Sequence, residues 1–171
     1  MNTPPGSPPQ LATPAGQGGL RELSPAYFGL VMATGIVSLA ADMLGHPLLA
    51  RALLALNAVQ YVVLWVLYVL RAWRYPRRFF GDMVDHARGT GYFTMVAATG
   101  ILASQCIVLL GHVPLGFALW ALAALLALVL TYTIFTAFTI RRDKPPLDRG
   151  ISGAWLLAVV STQALAVCSA L

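Results

Sequence analysis

The sequence predicts an all-α, polytopic membrane protein with five transmembrane helices, and three observations predict it. Hydrophobic residues make up 58% of the 171 positions and charged residues 10%, a balance that leaves too little polar surface for a water-soluble domain. Five apolar stretches, near 25–45, 48–70, 90–111, 114–139 and 151–171, reach or approach the roughly 20 residues needed to cross about 30 Å of hydrocarbon at 1.5 Å per residue. Strict alternation of apolar and polar residues is absent, which argues against a membrane β-barrel.

Residues 1–23 are rich in Pro, Gly, Gln and Ser and carry no charge before Arg21. Such a composition cannot bury enough apolar surface to order itself, so this stretch is predicted to be a disordered cytoplasmic tail ahead of a helical membrane domain over 24–171. No secretory signal is evident, because the first apolar stretch lacks a basic leader and is long enough to remain as a span. Ser24 and Pro25 open the first span: the serine supplies a capping hydroxyl, and the proline takes a first-turn position where no N–H is needed. Pro47 and Pro114 open the second and fourth spans by the same logic, after the short turns Gly45-His46-Pro47 and Gly111-His112-Val113-Pro114. Arg88-Gly89 and Arg149-Gly150 precede the third and fifth. The expected unit is a helical hairpin in which a helix bearing glycine and threonine runs out and a Leu/Ala-rich helix returns. Five spans make two and a half such units.

One pattern is written three times into the odd-numbered spans. YFGLVMATGI from Tyr27 and YFTMVAATGI from Tyr92 agree at seven of ten positions, and WLLAVVSTQ from Trp155 is a weaker third copy. At helical spacing the copies align as the stripes Tyr27, Val31, Thr34, Ser38, Ala41; Tyr92, Val96, Thr99, Ala103, Cys106; and Trp155, Val159, Thr162, Ala166, Ser169. Repetition in an apolar chain implies a duplicated helical unit stacked around a shared feature. The odd spans carry Gly29, Gly35, Gly91, Gly100 and the threonines, which permit close approach or hydrogen bonding within a bundle. The even spans carry bulky aliphatics with Tyr61, Trp65, Tyr68 and Trp120, which suit lipid contact and interface anchoring. An inner ring of odd helices and an outer ring of even ones is therefore expected.

Of eleven Lys and Arg residues, nine fall in two segments: Arg71, Arg74, Arg77, Arg78 and Arg88, then Arg141, Arg142, Lys144 and Arg149. The positive-inside rule makes both segments cytoplasmic, with the N-terminus inside, as expected for an inner (plasma) membrane protein. The net charge of +5 thus reflects topology and needs no nucleic-acid partner. Cys106 and Cys168 fall near the outer ends of apolar spans. Similar depth would permit a disulfide, but small buried thiols are the preferred reading.

Enzyme chemistry finds little footing. His46, His86 and His112 lie in turns or loops without metal-ligand spacing, and no Gly-x-Ser-x-Gly elbow occurs. Asp82 and Asp85 with His86 and Arg88 fit a salt-bridged turn better than a divalent-ion site. No metal or cofactor is expected. Within the spans the polar groups are neutral, among them Thr34, Ser38, Asn57, Thr94, Thr99, Ser104, Gln105, Thr162 and Gln163, whereas proton-coupled pumps place ionisable groups there. Neutral donors could pass a weakly held anion, or they could merely pack, with threonine bonded to its own helix. Helix N-termini of the odd spans, with Arg88 and Arg149, would make an anion-attracting cytoplasmic mouth.

The segments SPAYFGLVMATGIVSLA, DHARGTGYFT, ATGILASQ and KPPLDRGISGAWLLAVVSTQ resemble the tellurite-resistance/C4-dicarboxylate transporter family, which includes yeast malate and sulfite carriers and the plant slow anion channels. The similarity runs from about Ser24 to Leu171. It implies a ten-helix subunit of five hairpins around a central pore, odd helices innermost, commonly assembled as a homotrimer. This chain matches the first five helices. The pore-blocking aromatic of that family lies on a late inner helix and corresponds to no residue here. The resemblance favours Thr34, Ser38, Thr99, Ala103, Thr162 and Ala166, with Gly35 and Gly100, as pore-lining residues. Passage of C4-dicarboxylates such as malate, or of small inorganic anions and oxyanions, is the expected function in a lipid bilayer. The alternative is a non-transporting membrane subunit, an assembly module or a fragment without activity alone.

Overall fold

A computed structural model describes residues 23–83, 85, 88–140 and 153–171. Residues 1–22 of the expected disordered tail and the basic stretch holding Arg141, Arg142, Lys144 and Arg149 lie outside the described residues. The described chain is helical, with no strand among its elements. Six α-helices follow in order: α1 (Phe28–Met43), α2 (Pro47–Arg74), α3 (Pro76–Met83), α4 (Phe93–Leu110), α5 (Val113–Ile140) and α6 (Leu156–Ser169).

The three copies of the pattern open alike. A short 3₁₀ turn ending in an aromatic leads into each helix: Pro25–Tyr27 before α1, Gly89–Tyr92 before α4 and Gly153–Trp155 before α6. Ser24 caps the first turn, its hydroxyl accepting the Ala26 N–H at 3.3 Å, with Pro25 behind it. The two hairpin turns also echo one another. Gly45 (φ +80°) and Gly111 (φ +64°) take the left-handed conformation that ends a helix, which a Cβ would strain. After α1 the His46 N–H reaches back to the Ala41 carbonyl at 2.9 Å and the Gly45 N–H to that of Asp42 at 2.9 Å. After α4 the Gly111 N–H donates to Ile107 O at 3.1 Å, and His112 Nδ1 accepts the Leu115 N–H at 3.2 Å to start α5.

Four helical stretches are long and apolar enough to cross a membrane: Pro25–Met43, Pro47–Arg74, Gly89–Leu110 and Val113–Ala137. The fifth expected span appears as the shorter apolar helix α6, Leu156–Ser169. Its 14 residues cover about 21 Å, less than the hydrocarbon thickness.

Packing is organised around α4. All residues from Tyr92 to Cys106 except Ile101 are buried, because α4 lies against α1, α5 and α6 and also touches α2. α2 packs on α1, and α5 also contacts α6. The odd helices thus form the row α1, α4, α6. Its outer members remain open on one side: Leu30, Ile36 and Val37 of α1 and Val159 and Val167 of α6 are exposed.

Two readings of the sequence need correction. Tyr61 and Tyr68 of α2 are not lipid-facing anchors. Both are buried and, with Trp65, surround Phe28 at ring separations of 5.3–6.2 Å. Each hydroxyl has an internal partner, Thr99 for Tyr61 and the Leu23 carbonyl for Tyr68, so these rings can be buried without an unsatisfied polar tip. The basic loop after the second span is also more structured than a turn. α2 runs on to Arg74, and α3 follows. The charge of Arg71 is fully buried because Asp82 of α3 pairs with it, and Arg88 reaches the same carboxylate at 3.4 Å.

Candidate functional site

The three 3₁₀ turns gather at one end of the bundle. The turn before α4 contacts both the turn before α1 and the turn before α6. Thr94 Oγ1 donates to the Pro25 carbonyl at 2.8 Å and ties the first two together, and a Cβ on Gly91 would stand 3.3 Å from Pro25 Cγ. Three helix N-termini therefore point the same way, and the helix dipole at such an end favours negative charge. Arg88 precedes the middle turn and its side chain is half-exposed. Its guanidinium leans on Asp82 and its N–H on Asp85 Oδ1 at 3.1 Å. Arg149 lies outside the described residues.

The candidate lining residues divide into two environments. On α1, Thr34 donates to Gln60 Oε1 at 3.2 Å and Ser38 to the Ala50 carbonyl at 2.8 Å, both on α2. On α4, Thr99 donates to its own helix at Met95 O (2.7 Å), leaving Tyr61 as donor to the Thr99 oxygen at 3.0 Å. Ala103 is fully buried. Gly35 and Gly100 sit where helices come closest. A Cβ on Gly35 would overlap Ile101 Cγ2 and lie 3.0 Å from Asn57 Nδ2, and one on Gly100 would lie 3.3 Å from Ala164 Cβ. Gly35, Ser38, Thr99, Gly100 and Ala103 are buried among the described residues, and Thr34 is partly exposed. Thr162 and Ala166 of α6 do lie on an open face. Thr162 donates to Val159 O at 2.8 Å, a bond within its own helix.

A ladder of polar contacts between α2 and its neighbours carries more of the architecture than the sequence reading assigned to it. Beside Thr34–Gln60, Ser38–Ala50 and Thr99–Tyr61 stands Asn57, whose Nδ2 donates to Gln105 Oε1 at 2.6 Å. Both amides are fully buried. Apolar surface gives no drive for association within lipid, so close packing at glycine and hydrogen bonds of this kind hold the helices together. Gly116 was also missed: a Cβ there would collide with Ile107, so it sets the approach of α5 to α4. A glycine facing a bulky residue on the preceding span was the available signal.

Cys106 and Cys168 are buried free thiols. Among the described residues no cluster of His, Cys, Asp or Glu could hold a metal ion.

The architecture is that of a helical membrane protein with clustered helix N-termini and neutral polar groups along its spans. A family model described as SLAC1, voltage-dependent anion channel, matches residues 22–171, and the chain belongs to that family. Comparison with curated proteins and with solved structures gave no match. Family membership agrees with the resemblance read from the sequence and points to anion transport through a channel in place of enzymatic activity.

Proposed function

We propose that the protein conducts small anions or C4-dicarboxylates passively or with weak coupling, along the open face that α6 presents at the end of the row α1, α4, α6. The observation that carries this reading is the division among the candidate residues. Ser38 and Thr99 are buried and bond to α2 or to their own helix, and the partly exposed Thr34 bonds to α2, whereas Thr162 and Ala166 stand on the open face of α6. On this reading Thr162 lines the path and its hydroxyl exchanges the Val159 carbonyl for a passing anion, while Ala166 supplies width. Gly35, Gly100, Ala103 and the other hydroxyls hold the row at the spacing the path requires. Neutral groups suit conduction because they bind an anion without trapping it. The converging N-termini and Arg88, part-neutralised by Asp82, supply an attractive mouth, to which Arg149 would add. The same wall fits the repeated five-hairpin subunit and homotrimer that the family resemblance implies.

The mouth is assigned to the cytoplasmic side by the positive-inside rule. Cysteines replacing His46 or His112, both exposed in the hairpin turns at the other end of their helices, should react with an impermeant maleimide added outside intact cells, and one replacing Arg78 should not. The reverse labelling pattern would invert the channel. The lining assignment is tested by flux in proteoliposomes of the assembled protein. Thr162→Val keeps the shape and removes the donor, and should lower flux about fivefold, the effect of one hydrogen bond of about 1 kcal/mol. Unchanged rate and anion preference would remove Thr162 from the path.

A further inference from the structure

We propose that the end of α2 together with α3 forms a docking site for the headgroup of an anionic phospholipid. α2 has 28 residues, about 42 Å at 1.5 Å per residue, so it outruns the hydrocarbon and delivers its last turn to the headgroup layer. The chain then folds back as α3 against α2 and the Gly89–Tyr92 turn. Phe79 anchors this return, packing edge-on to Tyr92 at 5.6 Å while its carbonyl accepts the Tyr92 hydroxyl at 3.1 Å.

The outward side of this corner interleaves aromatic and basic groups. Trp73 is 86% exposed and Phe80 62%, and Arg74, Arg77 and Arg78 are exposed between them. Asp82 is occupied by Arg71 and Arg88, and none of the three outer arginines is paired with a carboxylate among the described residues. Three guanidiniums without a carboxylate partner among the described residues therefore share one anchored corner. The guanidinium fork matches the non-bridging oxygens of a phosphodiester, and indole and phenyl rings belong at the level of the glycerol backbone. Orientation of the protein requires positive charge on this side but no exposed rings among the charges. A lipid headgroup layer accounts for both, and it is already present around a membrane-spanning helix.

Native mass spectrometry of the full chain, released from detergent micelles with added phosphatidylglycerol or phosphatidylcholine, tests the proposal. The wild-type chain should hold one phosphatidylglycerol about a hundredfold more tightly than phosphatidylcholine. The triple variant R74Q/R77Q/R78Q should lose about fivefold for each arginine removed, following the usual contribution of a basic residue at an anionic surface. Should that variant fail to fold, R78Q alone, outside the span, should show its single fivefold share. W73A/F80A leaves every charge in place and should weaken both lipids several-fold. Equal retention of the two lipids by the wild type would overturn the proposal, as would an arginine variant that keeps full selectivity. Displacement of the lipid by millimolar inorganic phosphate would also overturn it, by revealing a site for soluble anions.

Discussion

Thr99 and Thr162 hold the same place in the repeated pattern, seven residues after the aromatic that ends the 3₁₀ turn, and they finish in opposite surroundings. Thr99 is fully buried and shared between Met95 and Tyr61. Thr162 is exposed and, among the described residues, bonded to the preceding turn of its own helix. The pattern sets the depth of a threonine along its helix, but the neighbouring helix decides what it meets. α4 has α2, with Tyr61, on one side and α6 on the other, whereas α6 has α4 and α5 on one side and an open face.

The largest effect that would break this comparison is at the packing side of the row. Gly35→Leu forces a side chain into Ile101 and the Asn57–Gln105 pair, and should cost about 2 to 3 kcal/mol in reversible SDS unfolding, the usual penalty for overpacking. Gly29→Leu, in the same helix with nothing within 4 Å of its Cβ position, should change stability by less than about 0.5 kcal/mol. Equal losses at the two positions would mean that α1 and α4 are not held close at Gly35.

A smaller effect sharpens the comparison directly. Thr99→Val removes a membrane hydrogen bond, which averages about 0.6 kcal/mol and reaches about 1.7, and leaves the Tyr61 hydroxyl buried without its acceptor. A loss of about 1 to 2 kcal/mol is expected in the same unfolding assay. Thr162→Val should be nearly silent there, because the bond it loses lies within its own helix on an exposed face.

Much of the fold was legible because membrane helices advertise themselves. Apolar length marked four spans to within a few residues, and the glycine-histidine turns fell where Gly45 and Gly111 adopt positive φ. α3 was not legible, since eight residues carrying three charged side chains show no span and take their order from Phe79 and Asp82 meeting Tyr92 and Arg71. The inward turn of Tyr61 and Tyr68 was missed for a similar reason. Their composition suits an interface, and only the positions of Thr99 and Leu23 show that their hydroxyls find partners inside. In the stripe Tyr27, Val31, Thr34, Ser38, Ala41, the residues Val31, Ser38 and Ala41 are buried, Thr34 is partly exposed and Tyr27 is exposed, whereas Val159, Thr162, Ala166 and Ser169 of α6 are exposed. A repeat seen in one dimension gives the register of each helix and leaves its rotation against neighbours open.

The division between a packed Thr99 and an open Thr162 is tested most directly by thiol modification. With Cys106 and Cys168 changed to Ala, single cysteines at 99 and at 162 would be challenged with a small anionic methanethiosulfonate during anion flux. The account predicts rapid modification and block at 162, slowed by a permeant anion, and no reaction at 99. Block at 99 with no reaction at 162 would contradict it and move the path to the other side of α4.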